Sequence, residues 1–143
     1  MKLKDWEEKF VELLRRKGIK SYPIISPLEA NHVDGHVVYS MIDDEVYSAY
    51  EGTYTDGVNI TIDARAEKYL VARDLLNSTL EALSLRGRAG GRFLEDRDPA
   101  NVTLDNATGL YRFIVNATIN PDYSFIEEFG NRAFSRSFSR AFG

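Results

Sequence analysis

The sequence predicts an α+β fold, a two-layer sandwich with two helices on one face of a mainly antiparallel sheet of about four strands. Three observations carry this reading. Two segments repeat apolar residues at the helical period, and others alternate apolar and polar residues at the strand period. The early strands are joined by short turns, which favour antiparallel pairing. A chain of 143 residues fits one such unit and is long enough to bury a real core. Residues 1–120 read as the α+β domain and residues 121–143 as a C-terminal extension.

Residues 4–17 read as an amphipathic helix, with Trp6, Phe10, Leu13 and Leu14 on one stripe. Asp5, Glu7 and Glu8 lie near its positive end, and Arg15, Arg16 and Lys17 near its negative end. Gly18 is a natural stop. Residues 19–35 read as a loop, fixed by Pro23 and Pro27 and closed by the Asp34-Gly35 turn signal. His36 to Asp43 (HVVYSMID) reads as a strand. Asp43-Asp44-Glu45 reads as a turn, Val46 to Glu51 as a weakly patterned strand, and Thr55-Asp56-Gly57 as another turn.

Val58 to Ala66 alternates most cleanly. Val58, Ile60, Ile62 and Ala64 point one way, and Asn59, Thr61, Asp63 and Arg65 the other. Glu67 to Leu85 reads as a second helix with a stripe of Leu70, Ala72, Leu75, Leu76, Leu80 and Leu83. It would run about 28 Å, so a sheet or a neighbour must cover that stripe. Residues 86–92 (RGRAGGR) read as a flexible loop, and residues 93–108 as polar and acidic with a short strand at Asn101–Leu104. In Leu110 to Asn120, Tyr111, Phe113, Val115, Ala117 and Ile119 alternate with Arg112, Asn116 and Thr118, and Pro121 ends the strand.

Composition narrows the function. The net charge of −4 gives no global reason for nucleic-acid affinity. With no cysteine, disulfides, thiolate catalysis and cysteine-ligated zinc are excluded. The charged N-terminus has no signal-peptide core, and no apolar run is long enough to span a bilayer. The expectation is a cytosolic protein, or one assembled from the cytosol, without membrane contact. Asn-x-Ser/Thr triplets at Asn59, Asn77, Asn101, Asn106 and Asn116 then carry no glycosylation meaning.

Candidate chemistry is sparse. His32 and His36 have the spacing of a helical metal pair but flank Asp34-Gly35 in a loop. Asp43, Asp44 and Glu45, and Glu95, Asp96, Asp98 and Asp105, are oxygen clusters without the fixed ligand spacing of a calcium loop. Both groups read as solvated acid. There is no nucleophile elbow or triad pattern. The sequence therefore predicts no enzyme, no cofactor and no metal. Arg86, Arg88 and Arg92 of RGRAGGR are candidates for contact with DNA or an axial partner, weighed equally against a mobile loop after a helix. The loop lacks the Gly-Lys-Ser/Thr of a P-loop.

The last residues, RAFSRSFSRAFG, repeat Arg132, Arg136 and Arg140 with Phe134, Phe138 and Phe142. Phe125 and Phe129 precede them. Extended or helical, the segment presents apolar anchors framed by positive charge. Burying each Phe is worth about 1.5–3 kcal/mol, which favours docking on another subunit or folding back over a free end. Aromatic and Arg residues are favoured interface anchors, so these eight residues are the candidate docking set.

From Val37 to Asn120 the chain resembles the tail terminator (tail-completion) proteins of long-tailed bacteriophages and prophages. VVYSMID comes first, followed by a polar stretch ending in EGTYTDG. VNITIDARAEKY then runs directly into KYLVARDLLNSTLEAL. A variable acidic loop and the strand of TGLYRFIVNATIN close the set, and the opening helix WEEKFVELLRRKG also suits the family. The resemblance implies a non-enzymatic virion protein forming a hexameric ring. The ring caps the tail tube, ends tube polymerisation and offers a surface to the head-side connector, while DNA passes through its lumen without sequence-specific binding. It does not extend to residues 121–143. A sister reading is another neck or tail ring component, such as a head-side stopper or the tube protein. A nucleic-acid-binding module using RGRAGGR and the Arg tail is a separate class, and the acidic net charge weighs against it.

Overall fold

The computed structural model describes residues 3–43, 46–49, 52–55, 58–84 and 91–120, with Leu3, Asp43 and residues 46–49 and 52–55 described by backbone alone. In chain order the elements are α1 (Leu3–Arg16), β1 (Ser21–Pro23), β2 (His36–Asp43), β3 (Val46–Ala49) and β4 (Gly52–Thr55). Then come β5 (Val58–Ala66), α2 (Tyr69–Leu83), β6 (Leu94–Arg97), β7 (Asn101–Asp105) and β8 (Leu110–Ile119). The fold is α+β, as the periodicities predict. The main sheet has six strands rather than about four.

Its order is β1-β2-β5-β8-β6, with β7 also on β8. β1 joins β2 in parallel and the other pairs are antiparallel. β6 pairs with Ala117–Ile119 and β7 with Leu110–Ile114, so they share one lane along β8. Asp98 N–H donates to the Asn116 carbonyl between them (2.8 Å). Pro99 falls at this break in an edge lane, where its missing donor is tolerated.

Among the described strands, β3 and β4 pair only with each other. Asp43 faces Val58 and Val46 faces Thr55, three residues on along one strand and three back along the other. The β3–β4 ladder therefore keeps the β2–β5 register. The turn expected at Asp44-Glu45 lies outside the described residues.

The helices cover one face. The stripe predicted for α1 is buried throughout, with Trp6, Phe10, Leu13 and Leu14 in the core. Phe93 packs between them, its ring 6.4 Å from Trp6 and 6.5 Å from Phe10. Tyr39 packs on Phe10 at 4.7 Å, and its hydroxyl donates to Glu7 (2.7 Å). α1 stops as expected: Ile19 N–H reaches the Leu14 carbonyl and Gly18 N–H the Arg15 carbonyl, with Gly18 at φ 73°. That is a Schellman closure, which needs a left-handed residue at this position.

α2 buries Ala72, Leu76, Thr79, Leu80, Ala82 and Leu83. Leu70 leaves the predicted stripe and is exposed. At the start of α2 the ring over the sheet is that of Tyr69, 5.3 Å from Phe113 and 5.8 Å from Tyr111. From the sheet the core takes Val37, Tyr39, Val58, Ile60, Ile62, Ala64, Ala66, Phe113, Val115, Ala117 and Ile119.

Candidate functional site

Among the described residues, no helix lies on the opposite face of the sheet. Because side chains alternate across a strand, the register decides what meets there. Arg65 of β5 faces Arg112 of β8, Asp63 faces Ile114, Thr61 faces Asn116, and Asn59 faces Thr118. On β2, His36 faces Arg65 and Val38 faces Asp63.

Two like charges directly opposite in a sheet repel. Asp63, diagonal to Arg112 and two residues before Arg65, resolves the conflict. Its Oδ2 accepts from Arg65 Nε (3.1 Å) and Nη2 (2.9 Å), and from Arg112 Nε (3.0 Å) and Nη2. These bonds to Asp63 hold the Arg112 pKa above its ordinary value. Asp63 is buried, and its Oδ1 has no hydrogen-bond partner among the described residues. Two guanidinium groups on one carboxylate leave the trio with a net positive charge. Down the same face Thr61 donates to Asn116 (2.9 Å) and Thr118 to Asn59 (3.2 Å). A shallow groove of about 340 Å³ runs past these pairs, lined also by Ser40, Ile42, Asp96 and Asp98.

A loop from Ile24 to Asp34 closes one end of this face. Ser26 is its anchor. Arg65 Nη1 donates to Ser26 Oγ (3.1 Å), and Ser26 Oγ lies 2.7 Å from His36 Nε2. His36 Nδ1 lies 3.1 Å from the Asn31 carbonyl. A carbonyl only accepts, so Nδ1 carries the proton and Nε2 accepts from Ser26. Burial holds the His36 pKa below the ordinary histidine value, against the opposing pull of the Asn31 bond. The Ser26–His36 contact has the spacing of a nucleophile and its base. Here Ser26 also accepts from Arg65 and His36 is fully buried, so the pair fastens the loop.

Further bonds fix the loop's course. Asn31 Oδ1 accepts from Val33 and Asp34 N–H (both 3.0 Å), and Glu67 N–H donates to the His32 carbonyl (2.9 Å). At Gly35, φ is 88° and an added Cβ would meet Leu75 Cδ2 at 2.8 Å and the Arg65 carbonyl at 2.9 Å, so only glycine fits.

The candidate residues fare unevenly. Arg92 is exposed just ahead of β6, while Arg86 and Arg88 lie outside the described residues. Phe125, Phe129, Phe134, Phe138, Phe142, Arg132, Arg136 and Arg140 lie outside them too. His32 and His36 come together with ring centroids 5.3 Å apart. No group of three or more metal-ligating side chains occurs among the described residues. Glu95 and Asp96 fall on β6 and Asp105 ends β7, at opposite ends of the β8 lane. Asp105 caps a turn by accepting from Ala107 N–H (3.0 Å), which holds its pKa low. No helix among the described residues is long and apolar enough to cross a membrane.

Sequence reasoning places Asp63, Arg65 and Arg112 on polar faces without bringing them together. The signal lay in TIDARAEKY and TGLYRF, which hold all three.

No family model matches the chain and no curated protein matches it. Among solved structures, a chain described as "Virion of native gene transfer agent (GTA) particle" is similar at TM-score 0.42 and 17% identity, covering 78% of this chain and 90% of that chain.

Proposed function

We propose that this chain is a structural virion protein of the tail terminator kind. In this reading it forms a ring, the hexamer that the resemblance implies, at the head-proximal end of a tail. The ring stops polymerisation of the tube protein and receives the head-side connector, and DNA crosses its lumen without being read.

The observation that carries the reading is the coincidence of motif and fold. TIDARAEKY and TGLYRF, on which the resemblance rests, supply the Asp63, Arg65 and Arg112 trio that joins β5 to β8. The elements also follow the order that the resemblance implies, with the β5 strand running directly into α2. A largely polar sheet face that no described helix covers supports a part that packs against other copies. In a ring each subunit uses two different faces, and repetition of the contact closes the circle.

Light scattering after size-exclusion chromatography tests this. The expected particle is close to six times 16.2 kDa, with a central opening in negative-stain images. Long tubes would identify a tube protein instead, and a monomer at all concentrations would overturn the ring. A chain ending at Pro121 tests the C-terminal extension as an assembly arm: loss of the ring is expected, and a ring of unchanged size would remove the tail residues from the interface.

A further inference from the structure

The Ile24–Asp34 loop turns several polar groups inward and several apolar ones outward. Ser26 points to His36 and Arg65, and the Asn31 and His32 carbonyls to His36 and Glu67. Ala30 is buried, but four larger apolar side chains point into solvent. Ile24 is 72% exposed, Ile25 73%, Leu28 101% and Val33 63%. Scattered exposed aliphatics need no explanation, but four on one pinned loop mark a contact surface. The loop's charge is acidic only, from Glu29 and Asp34.

The backbone adds a second sign. Ile24 has φ 66°, and Ile25 N–H bonds the Pro23 carbonyl (2.7 Å), closing a γ-turn around it. A β-branched residue resists the left-handed region. The bond from Ile24 N–H to the Tyr39 carbonyl (2.8 Å) holds the turn in place. Such strain persists where the surroundings over-determine it, and it clusters at working surfaces.

The chain's own tail has the complementary chemistry. Residues 129–143 hold Phe129, Phe134, Phe138 and Phe142 with Arg132, Arg136 and Arg140, and no acid. We infer that the Ile24–Asp34 loop receives the Arg/Phe tail of a neighbouring copy. The phenylalanines pack on Ile24, Ile25, Leu28 and Val33, and the arginines face Glu29 and Asp34.

A neighbour is the occupant that the ring reading supplies. β8 ends at Ile119, beside Val58, whereas the loop is fastened at His36 and Arg65 and, through Ile24, at Tyr39 midway along the sheet. Val58 and Arg65 lie about 23 Å apart along β5 at about 3.3 Å per residue. The end that emits the tail and the far anchor of the loop are thus separate surfaces, and a head-to-tail contact between them builds a ring where the rotation closes. The inference rests on the ring reading and adds the acceptor that the tail lacked.

The chain has no cysteine, so disulfide trapping has no background. Full-length Leu28→Cys and full-length Ser137→Cys are mixed and oxidised with copper-phenanthroline. Full-length Asp74→Cys, on exposed α2 surface, replaces the loop variant as the control. Docking raises the local thiol concentration, so the mixed disulfide is expected at about tenfold or more above the control. A yield at the control level overturns the inference. The double variant Leu28→Cys/Ser137→Cys separates the two sources of tail. A covalent ladder supports the neighbour, and an internally closed monomer overturns it in favour of the chain's own tail. Light scattering on the unmodified protein reads the ring independently. A ring without the mixed disulfide overturns the loop as receptor and leaves the ring standing.

Discussion

Strand β5 has two faces that are held by different physics. Toward the helices it presents Val58, Ile60, Ile62, Ala64 and Ala66, all buried. Toward the bare side it presents Asn59, Thr61, Asp63 and Arg65, each matched to a specific partner on a neighbouring strand or loop. The covered face gains from area alone and tolerates many apolar sequences of the right volume. The bare face gains from pairing, where one wrong residue leaves a charge without its partner. Stability is concentrated on the first face and register on the second.

The comparison breaks most sharply at Ile62, which is fully buried. Ile62→Ala is expected to cost about 3 kcal/mol through lost transfer energy and a residual cavity. The check is the denaturation midpoint at an unchanged m-value. A loss below about 1 kcal/mol would mean that the helices repack freely over the sheet.

Asp63 comes next. Asp63→Asn keeps the shape but leaves Arg65 and Arg112 facing each other across the ladder. Breaking a buried pair costs about 3–5 kcal/mol, and partial exposure of both arginines lowers this toward about 2 kcal/mol. A double-mutant cycle of Asp63→Asn with Arg112→Gln should show coupling above about 1 kcal/mol. Additive effects would show that the trio does not act as a unit.

These two residues also show what a sequence reveals. Ile62 is legible because alternation over nine residues of β5 is unambiguous. β8 is legible by the same alternation, both helices by apolar residues at the helical period, and β2 by its β-branched and aromatic content. β1 is not: it has three residues including Pro23, and its parallel partner is set by tertiary packing. β6 is short and bulged, and β4 (GTYT) lacks an apolar pattern. The Asp63–Arg112 pair spans 49 positions. Each residue is visible as polar, but their meeting depends on the β5–β8 register, which alternation alone does not fix.

The third test uses pH. His36 is neutral and buried, with its pKa held below the usual value. An unfolded histidine titrates near about 6.5, so below that pH the unfolded chain binds the extra proton first. The stabilisation tied to neutral His36 is complete above about pH 6.5 and is lost as pH falls from there toward the folded pKa. Stability measured from pH 7.5 to 5 should therefore drop more steeply for the native sequence than for His36→Gln. Parallel curves would mean that His36 stays neutral or stays solvated in both states. A drop centred above pH 6.5 would contradict the direction of the shift.

The smallest expected effect has the opposite sign. Ile24 holds a left-handed backbone at the mouth of the loop. Asn accepts a positive φ more readily than a β-branched residue. Ile24→Asn should therefore raise stability by about 0.5–1 kcal/mol, since the exposed side chain gives up little packing. The same change removes one of the four apolar contacts offered to a tail, so the mixed disulfide of Leu28→Cys with Ser137→Cys should fall in its presence. A more stable monomer with weaker trapping would show strain and exposure retained together for docking. If stability rose and trapping did not change, the γ-turn would be a local defect unrelated to the bare face.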